Sequence, residues 1–119
     1  MPDDDNLPIV DAHQHFWNLQ TGDYPWLTGG EVIPFRYGDY SPIKKDFLVA
    51  DYRACSANQN IVNTVHMEAE WNPASPVDES RWLTSLAEAE NLPGAMVAQA
   101  WLDREDADEV LAGQASFPL

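Results

Sequence analysis

Hydrophobic and polar residues follow short, regular patterns in three stretches that predict β-strands. Residues 8–15 begin with the β-branched pair Ile9-Val10, bounded by proline and polar residues, which is typical of a short buried strand. Residues 61–71 predict a second strand and residues 95–101 a third. The second strand alternates two faces: Val65, Met67 and Ala69 on one, His66, Glu68 and Glu70 on the other. This alternation fits a half-exposed strand, or a barrel strand with helices outside and a polar site inside. For His66 itself, in mid-strand, we favour a hydrogen-bonded interior position.

Three further stretches have apolar residues at helical spacing or helix-start signals. They are residues 49–59, 75–91 and 103–113. The second has the clearest start, because Ser75 can accept hydrogen bonds as N-cap and Pro76 suits the first helical position. The order strand, loop, helix, strand, helix, strand, helix predicts an α/β fold with parallel strands and right-handed crossovers.

Two remaining stretches lack a regular pattern. Residues 1–7 form a polar tail, and residues 16–46 form a long segment rich in glycine and proline. The second segment also holds several aromatic residues, namely Phe16, Trp17, Tyr24, Trp26, Phe35, Tyr37 and Tyr40. Because disordered linkers are poor in aromatics, we expect a folded loop with a functional role.

Composition narrows the classes of partner. The chain of 119 residues has six Lys and Arg against twenty Asp and Glu, a net charge of −14. This balance argues against nucleic acids and anionic membranes as partners. The single cysteine, Cys55, excludes an internal disulfide, and neither a signal peptide nor a membrane span is recognisable. We therefore expect a cytoplasmic protein with a small-molecule substrate.

Four of the six basic residues cluster between positions 36 and 53. They are Arg36, Lys44, Lys45 and Arg53. One interpretation is a local positive field for an anionic substrate, with Arg36 as a substrate-binding residue. The other, which we favour slightly, is a solvated surface that happens to hold the few cations.

The candidate chemistry centres on Asp11, His13 and His15, near the end of the first predicted strand. In an extended strand, alternate side chains share a face, so both imidazoles could bind one metal ion. A catalytic zinc needs at least three protein ligands, so the pair alone is insufficient. Asp11 lies deeper, and we expect it to have a structural or supporting role. Isolated histidines at a strand end are usually structural, but the surrounding Val10-Asp11 and Phe16 favour a functional pair.

The stretch Val10-Asp11-Ala12-His13-Gln14-His15-Phe16-Trp17 resembles the first-strand signature of the amidohydrolase superfamily. The similarity is to its amidohydrolase-2 (amidohydrolase-related) branch, which includes L-fuconolactonase-like and pyrone-dicarboxylate lactonase-like enzymes. Three other stretches support the resemblance over residues 8–113. They are Tyr24-Pro25-Trp26-Leu27, Lys44-Lys45-Asp46-Phe47-Leu48 and Thr64-Val65-His66-Met67-Glu68-Ala69-Glu70-Trp71.

The resemblance implies a (β/α)₈ TIM barrel with its site at the carboxyl ends of the strands. His13 and His15 match the metal-ligand pair, and Glu68 matches a catalytic or site-lining polar position at the end of the second strand. Trp26 and Arg36 lie in the loop that would form the substrate wall. The implied cofactor is a divalent metal, zinc first, although some relatives need none. The implied activity is metal-dependent or metal-assisted hydrolysis of a lactone of a sugar acid or of an aromatic-degradation intermediate.

Length modifies this prediction, because a TIM barrel takes roughly 250 residues. Residues 1–119 supply about the first three βα units, so we expect a single incomplete barrel domain, truncated at the C-terminus and inactive alone. Two alternatives stay open at this point. One is a decarboxylase or C–C hydrolase of the same superfamily, and the other is a noncatalytic fragment whose histidines are structural.

Overall fold

The computed structural model describes residues 6–30, 33 and 38–119. Its elements in chain order are β1 (Ile9–Gln14), α1 (Pro25–Thr28), a 3₁₀ turn (Ser41–Ile43), α2 (Val49–Cys55), β2 (Ile61–Met67), α3 (Val77–Glu90), β3 (Ala95–Val97) and α4 (Ala107–Ala115). The three strands form one parallel sheet in the order β1-β2-β3. The predicted mixed α/β fold with parallel strands is therefore confirmed, whereas closure into a barrel stays a prediction.

The pairing of β1 with β2 has a register shift between Ile9 and Val10 and a β-bulge between Asp11 and Gln14. Asp11 pairs with Thr64, but the next pair is Gln14 with His66, so β1 has one residue more than β2 in this interval. An extra residue breaks the two-residue alternation of side chains and re-aims those beyond it. The residues after the bulge therefore do not keep the face predicted for them by simple alternation.

Helices α2 and α3 cover one face of the sheet. The core on this side contains Phe16, Val49, Tyr52 and Leu92, with Ile61, Trp82 and Leu86 packed against it. In the first turn of α2, the Asp51 carboxylate accepts the Leu48 amide at 2.9 Å, which satisfies one unpaired donor of that helix end. Alternate strand residues stay open on the other face, where Val10 is 55% exposed and Val62 is 54% exposed.

The described parts of residues 16–46 fold over the carboxyl end of the sheet, in agreement with the expectation of a folded loop. Antiparallel hydrogen bonds between Trp17 and Phe47, of 3.0 and 2.9 Å, close the segment at its base. The loop contains α1, which the sequence pattern did not predict. Leu27 of α1 and Tyr24 pack with Trp71 in a second core cluster.

Several predicted elements have different bounds in the structure. The second strand ends at Met67 and the third at Val97, because the chain leaves the sheet before Glu68 and Ala98. The helix predicted over residues 49–59 ends earlier, at Cys55. The last helix spans Ala107–Ala115, so it begins later than residue 103. Helix α3 ends as predicted at Asn91, whose left-handed φ of 66° terminates it.

One sequence interpretation of the second βα unit is wrong and another is confirmed. Ser75 does not cap α3 through its side chain; its hydroxyl instead accepts the Trp71 indole N–H at 3.3 Å. His66 is fully buried and hydrogen-bonded to Glu79 of α3, as expected for a mid-strand histidine, so it does not lie on an exposed face with Glu68. The strand ends one residue after His66, so its alternation does not continue to Glu68 and Glu70.

No helix in the described ranges 6–30 and 38–119 is both long and apolar enough to cross a membrane.

Candidate active site

A cavity of about 420 Å³ lies at the carboxyl ends of β1 and β2, beside the loop of residues 16–46. Its lining residues are His13, His15, Trp17, Trp26, Ile43, Glu68, Ala69 and Glu70. Ligand sites in parallel α/β sheets occur at this end of the strands. The position therefore agrees with the one that the resemblance implies, at the carboxyl ends of the strands.

The bulge in β1 lies between Asp11, which has structural hydrogen bonds, and the two histidines that line the cavity. Asp11 accepts hydrogen bonds from the Tyr52 hydroxyl at 2.7 Å and from the His13 amide at 3.2 Å. The Asp11 carboxylate thus joins β1 to α2 and holds the backbone of the bulge. His13, beyond it, is exposed and lines the cavity. The supporting role expected for Asp11 agrees with these contacts.

The His15 imidazole is held in one orientation by the backbone of β2. Its Nδ1 lies 2.7 Å from the Met67 carbonyl oxygen, which can only accept, so Nδ1 carries the hydrogen and donates it. Burial lowers the pKa of His15 below its usual 6.5, partly opposed by the hydrogen bond to Met67. In the neutral ring, Nε2 is then a lone-pair acceptor, able to accept a proton or bind a metal ion.

The two imidazoles lie against each other and against an indole. The ring centroids of His13 and His15 are 5.3 Å apart at an interplanar angle of 80°. The His15 ring also stacks on Trp17, with centroids 6.0 Å apart and an angle of 19°. These contacts limit the rotamers of both histidines and keep their rings at the cavity wall.

Two carboxylates follow β2 at the cavity. Glu68 Oε2 accepts the Glu70 amide at 2.8 Å, which fixes the Glu68 side chain across the turn. Glu70 has a φ of 55°, a left-handed conformation that is uncommon outside glycine, asparagine and aspartate. Strained backbone of this kind persists where surrounding contacts enforce it, and it is found often at functional sites.

A second cavity of about 370 Å³ adjoins the first and shares Trp26, Glu68 and Glu70 with it. Trp71, Gln99 and Trp101 contribute to its wall. The Trp26 indole N–H donates to the Ala69 carbonyl at 2.8 Å, so this ring is fixed at the boundary of the two spaces. Together the cavities form an elongated site with indole walls.

The structure places four of the five predicted site residues in one cavity. His13, His15, Glu68 and Trp26 all line it. Arg36 lies outside the described residues, so its substrate-binding role stays a prediction.

Among the other basic residues of the cluster, two have structural contacts away from this cavity. Lys44 lies 5.7 Å from the centroid of the Tyr40 ring, and Arg53 donates to the Glu90 carbonyl at the end of α3. Lys44, Lys45 and Arg53 are absent from the described lining of both cavities. Their positions favour the solvated-surface interpretation for these three residues.

The predicted metal can be tested against the donor set. Among residues 6–30, 33 and 38–119, no group of three His, Cys, Asp or Glu side chains is arranged to hold a metal ion. His13 and His15 supply two ligands, one fewer than the minimum for catalytic zinc. The described residues therefore do not complete a metal site, and the zinc prediction stays a prediction.

The sequence interpretation missed one buried residue beneath the site, Glu79. Its carboxylate is 2% exposed and faces His66, which is 0% exposed. In the sequence, Glu79 is an acid in the first turn of a helix, a position that complements the positive helix end and does not by itself indicate burial. Its spacing offered a signal, because Glu79 lies four residues before the buried Leu83 and so on the same helix face.

Comparison with known proteins gives partial matches. No protein-family model matches the chain. An uncharacterized protein, y4mH, from Sinorhizobium fredii is 37% identical over 106 residues, which are 89% of this chain and 35% of that protein. The L-fucono-1,5-lactonase of Burkholderia multivorans is 46% identical over 33 residues, 28% of this chain and 10% of the lactonase.

One solved structure shares the fold. Amidohydrolase 2 from Bifidobacterium longum subsp. infantis superposes with a TM-score of 0.55 at 20% identity, covering 81% of this chain and 34% of that one. The chain thus spans about a third of the length of y4mH and of amidohydrolase 2. At 20% identity this likeness shows a shared fold, over most of the length of the chain, with a protein of the kind that the histidine motif resembles.

Proposed function

We propose that this chain provides the first-strand and second-strand part of a hydrolase site that opens a lactone. The observation that carries the proposal is the meeting of His13, His15 and Glu68 in one cavity at the strand ends. The partial matches to an amidohydrolase 2 structure and to an L-fucono-1,5-lactonase support the same reaction class. The remaining strands of a (β/α)₈ barrel, and any further site residues on them, are part of this proposal.

His15 serves as the general base. Its neutral ring has a free Nε2, because Nδ1–H is committed to Met67, and its lowered pKa keeps it unprotonated near neutral pH. It takes a proton from water as the water oxygen attacks the lactone carbonyl. When the ring C–O bond breaks, the protonated His15 returns that proton to the leaving alkoxide, giving the hydroxy acid.

His13 and Glu68 have complementary roles. A ring N–H of His13 can donate to the carbonyl oxygen, on which negative charge develops during attack. A carboxylate accepts hydrogen bonds, so Glu68 suits the attacking water or a substrate hydroxyl rather than the carbonyl oxygen. Because the described residues do not complete a metal site, the proposed steps are assigned to the side chains of His13, His15 and Glu68.

The charges in the described lining favour a neutral substrate. Glu68 and Glu70 are its only charged residues apart from the titratable histidines. Two carboxylates repel an anion and accept hydrogen bonds from hydroxyl groups. A sugar lactone therefore fits this wall better than a pyrone dicarboxylate, and an anionic substrate would depend on Arg36.

Hydrolysis of lactones tests the proposal. The complete gene product, with the remaining barrel strands that the proposal requires, is assayed with a neutral sugar δ-lactone and with 2-pyrone-4,6-dicarboxylate, and acid release is followed against a buffer blank. His15→Gln keeps an N–H donor for the Met67 carbonyl but has no basic nitrogen, so kcat should fall by roughly 10²-fold or more. Ser85→Ala, on the exposed side of α3, is the matched control and should retain full activity.

Two outcomes would count against the proposal. Wild-type hydrolysis by the double variant His13→Ala, His15→Ala would exclude a catalytic role for both histidines. Release of carbon dioxide instead of acid, measured with a carboxylated substrate, would favour the decarboxylase alternative.

A further inference from the structure

A buried histidine and a buried glutamate lie beneath the cavity, and no step of the proposed reaction uses them. His66 on β2 is 0% exposed, and Glu79 in the first turn of α3 is 2% exposed. His66 Nδ1 accepts the Phe16 amide at 3.1 Å. The neutral ring therefore carries its hydrogen on Nε2, which lies 3.4 Å from Glu79 Oε2 and donates toward it.

The His66–Glu79 pair connects the two segments that carry the site residues. Glu79 Oε2 also accepts the Ala69 amide at 3.0 Å. Phe16 directly follows His15, and Ala69 lies between Glu68 and Glu70. One continuous set of three hydrogen bonds thus runs from the backbone beside the imidazole to the backbone between the two carboxylates.

Beyond the strand ends, the side chains of His66 and Glu79 accept backbone hydrogen bonds that strand carbonyls accept within the sheet. β1 ends at Gln14 and β2 at Met67, so Phe16 and Ala69 lie just beyond the regular ladder. A buried backbone N–H without a partner is costly, and here both donors bond to side chains instead of strand carbonyls. The His66–Glu79 pair therefore links the two segments beneath the direct 2.7 Å bond from His15 to the Met67 carbonyl.

We propose that His66 and Glu79 are positioning residues that set the distance between His15 and the Glu68 carboxylate. The expected effect on catalysis rests on the proposed function, whereas the expected loosening of the two segments does not depend on it. Breaking the pair at either residue should loosen both segments, including the one whose own hydrogen bond is intact. A purely local role would loosen only the segment that lost its bond.

Amide hydrogen exchange measured by NMR on the whole 119-residue chain distinguishes these cases. In Glu79→Leu, the Phe16 amide still has its acceptor, yet its exchange should accelerate by about tenfold or more. In His66→Leu, the Glu70 amide should accelerate similarly, although its bond to Glu68 is untouched. Glu79→Gln has an oxygen that can accept both bonds, and it should keep both amides protected.

Thr64→Val is the matched control for the loss of a buried hydrogen bond. It removes the 3.1 Å bond from Gln14 to Thr64, which lies two residues before His66 on the same strand, and leaves the His66–Glu79 pair intact. It should lower stability without a selective change at Phe16 or Glu70. Equal acceleration of both amides in Thr64→Val and Glu79→Leu would overturn the inference.

Two further comparisons keep the inference testable. If the leucine variants do not fold, Glu79→Asp replaces them, because its shorter side chain cannot reach both partners. Protection at Phe16 equal to that of Glu79→Gln would then refute the positioning role. In a hydrolysis assay, Glu79→Leu should lower kcat about tenfold with little change in KM, and Glu79→Gln should restore it. The exchange result stands even if no lactone is hydrolysed, so the two proposals fail separately.

Discussion

Replacing Tyr52 with phenylalanine tests how β1 is held against α2. The Tyr52 hydroxyl donates to Asp11 Oδ2 at 2.7 Å, and the ring packs edge-on against Phe16 with centroids 5.8 Å apart. Burial, together with the bond to Asp11, raises the pKa of Tyr52, so the hydroxyl stays protonated and remains a donor. Phenylalanine preserves the ring contacts and removes only this hydrogen bond.

The expected cost follows from the nature of the acceptor. A hydrogen bond to a charged group contributes about 1.5–3 kcal/mol, and Asp11 is only partly buried, so we expect about 1.5–2 kcal/mol. For a chain of 119 residues, this loss corresponds to a decrease in Tm of roughly 6–8 °C. Because Asp11 also accepts the His13 amide, the bulge should become less ordered, and hydrolysis should decline with it.

Urea unfolding monitored by tryptophan fluorescence measures the cost, with Tyr52→Phe compared in the native chain and in the Asp11→Asn variant. The double-mutant cycle isolates the pair, and the effect of Tyr52→Phe should shrink in the Asp11→Asn variant, where the acceptor is uncharged. A change in the free energy of unfolding below about 0.5 kcal/mol in the native background would refute the reasoning.

Three further predictions concern pH, the core and the second cavity. Because the pKa of His15 is lowered from 6.5 in the folded chain, the unfolded chain binds more protons just below that pH. The free energy of unfolding should therefore fall on acidification from about pH 7, and His15→Gln should reduce this slope in urea titrations. Leu83 is 1% exposed, so Leu83→Ala should cost about 3 kcal/mol in the same assay. Trp101 is 51% exposed, so Trp101→Ala should leave Tm nearly unchanged but weaken sugar-lactone binding measured by calorimetry.

The order of elements was predictable because it depends on local patterns. Runs of β-branched residues favour strands, acidic residues favour the first turn of a helix, and an asparagine such as Asn91 favours its end. Each of these signals acts on the backbone within a few residues, so the strands and helices follow from the sequence. The convergence of His13, His15 and Glu68 was also predictable, since parallel strands bring their carboxyl ends to one edge. The histidine motif added the resemblance to amidohydrolases, and the solved structure of amidohydrolase 2 shares the fold.

The contacts that orient the site were not predictable, because they join residues far apart in sequence. The face of His66 depends on Glu79 of α3, and the position of Asp11 depends on Tyr52 of α2. A one-residue bulge leaves no trace in a pattern of apolar and polar residues, so simple alternation placed Asp11 and His13 together. Helix α1 has only four residues, too few to show a periodic pattern.

The bulge divides β1 into two halves that can vary independently. Below it, Ile9 pairs with Ile61, which packs against the core, so substitutions there are constrained by folding. Above it, His13 and His15 line the cavity, and their exchange for other residues leaves the hydrophobic register unchanged. A strand built this way lets evolution or design change the chemistry at its tip without altering the fold at its base.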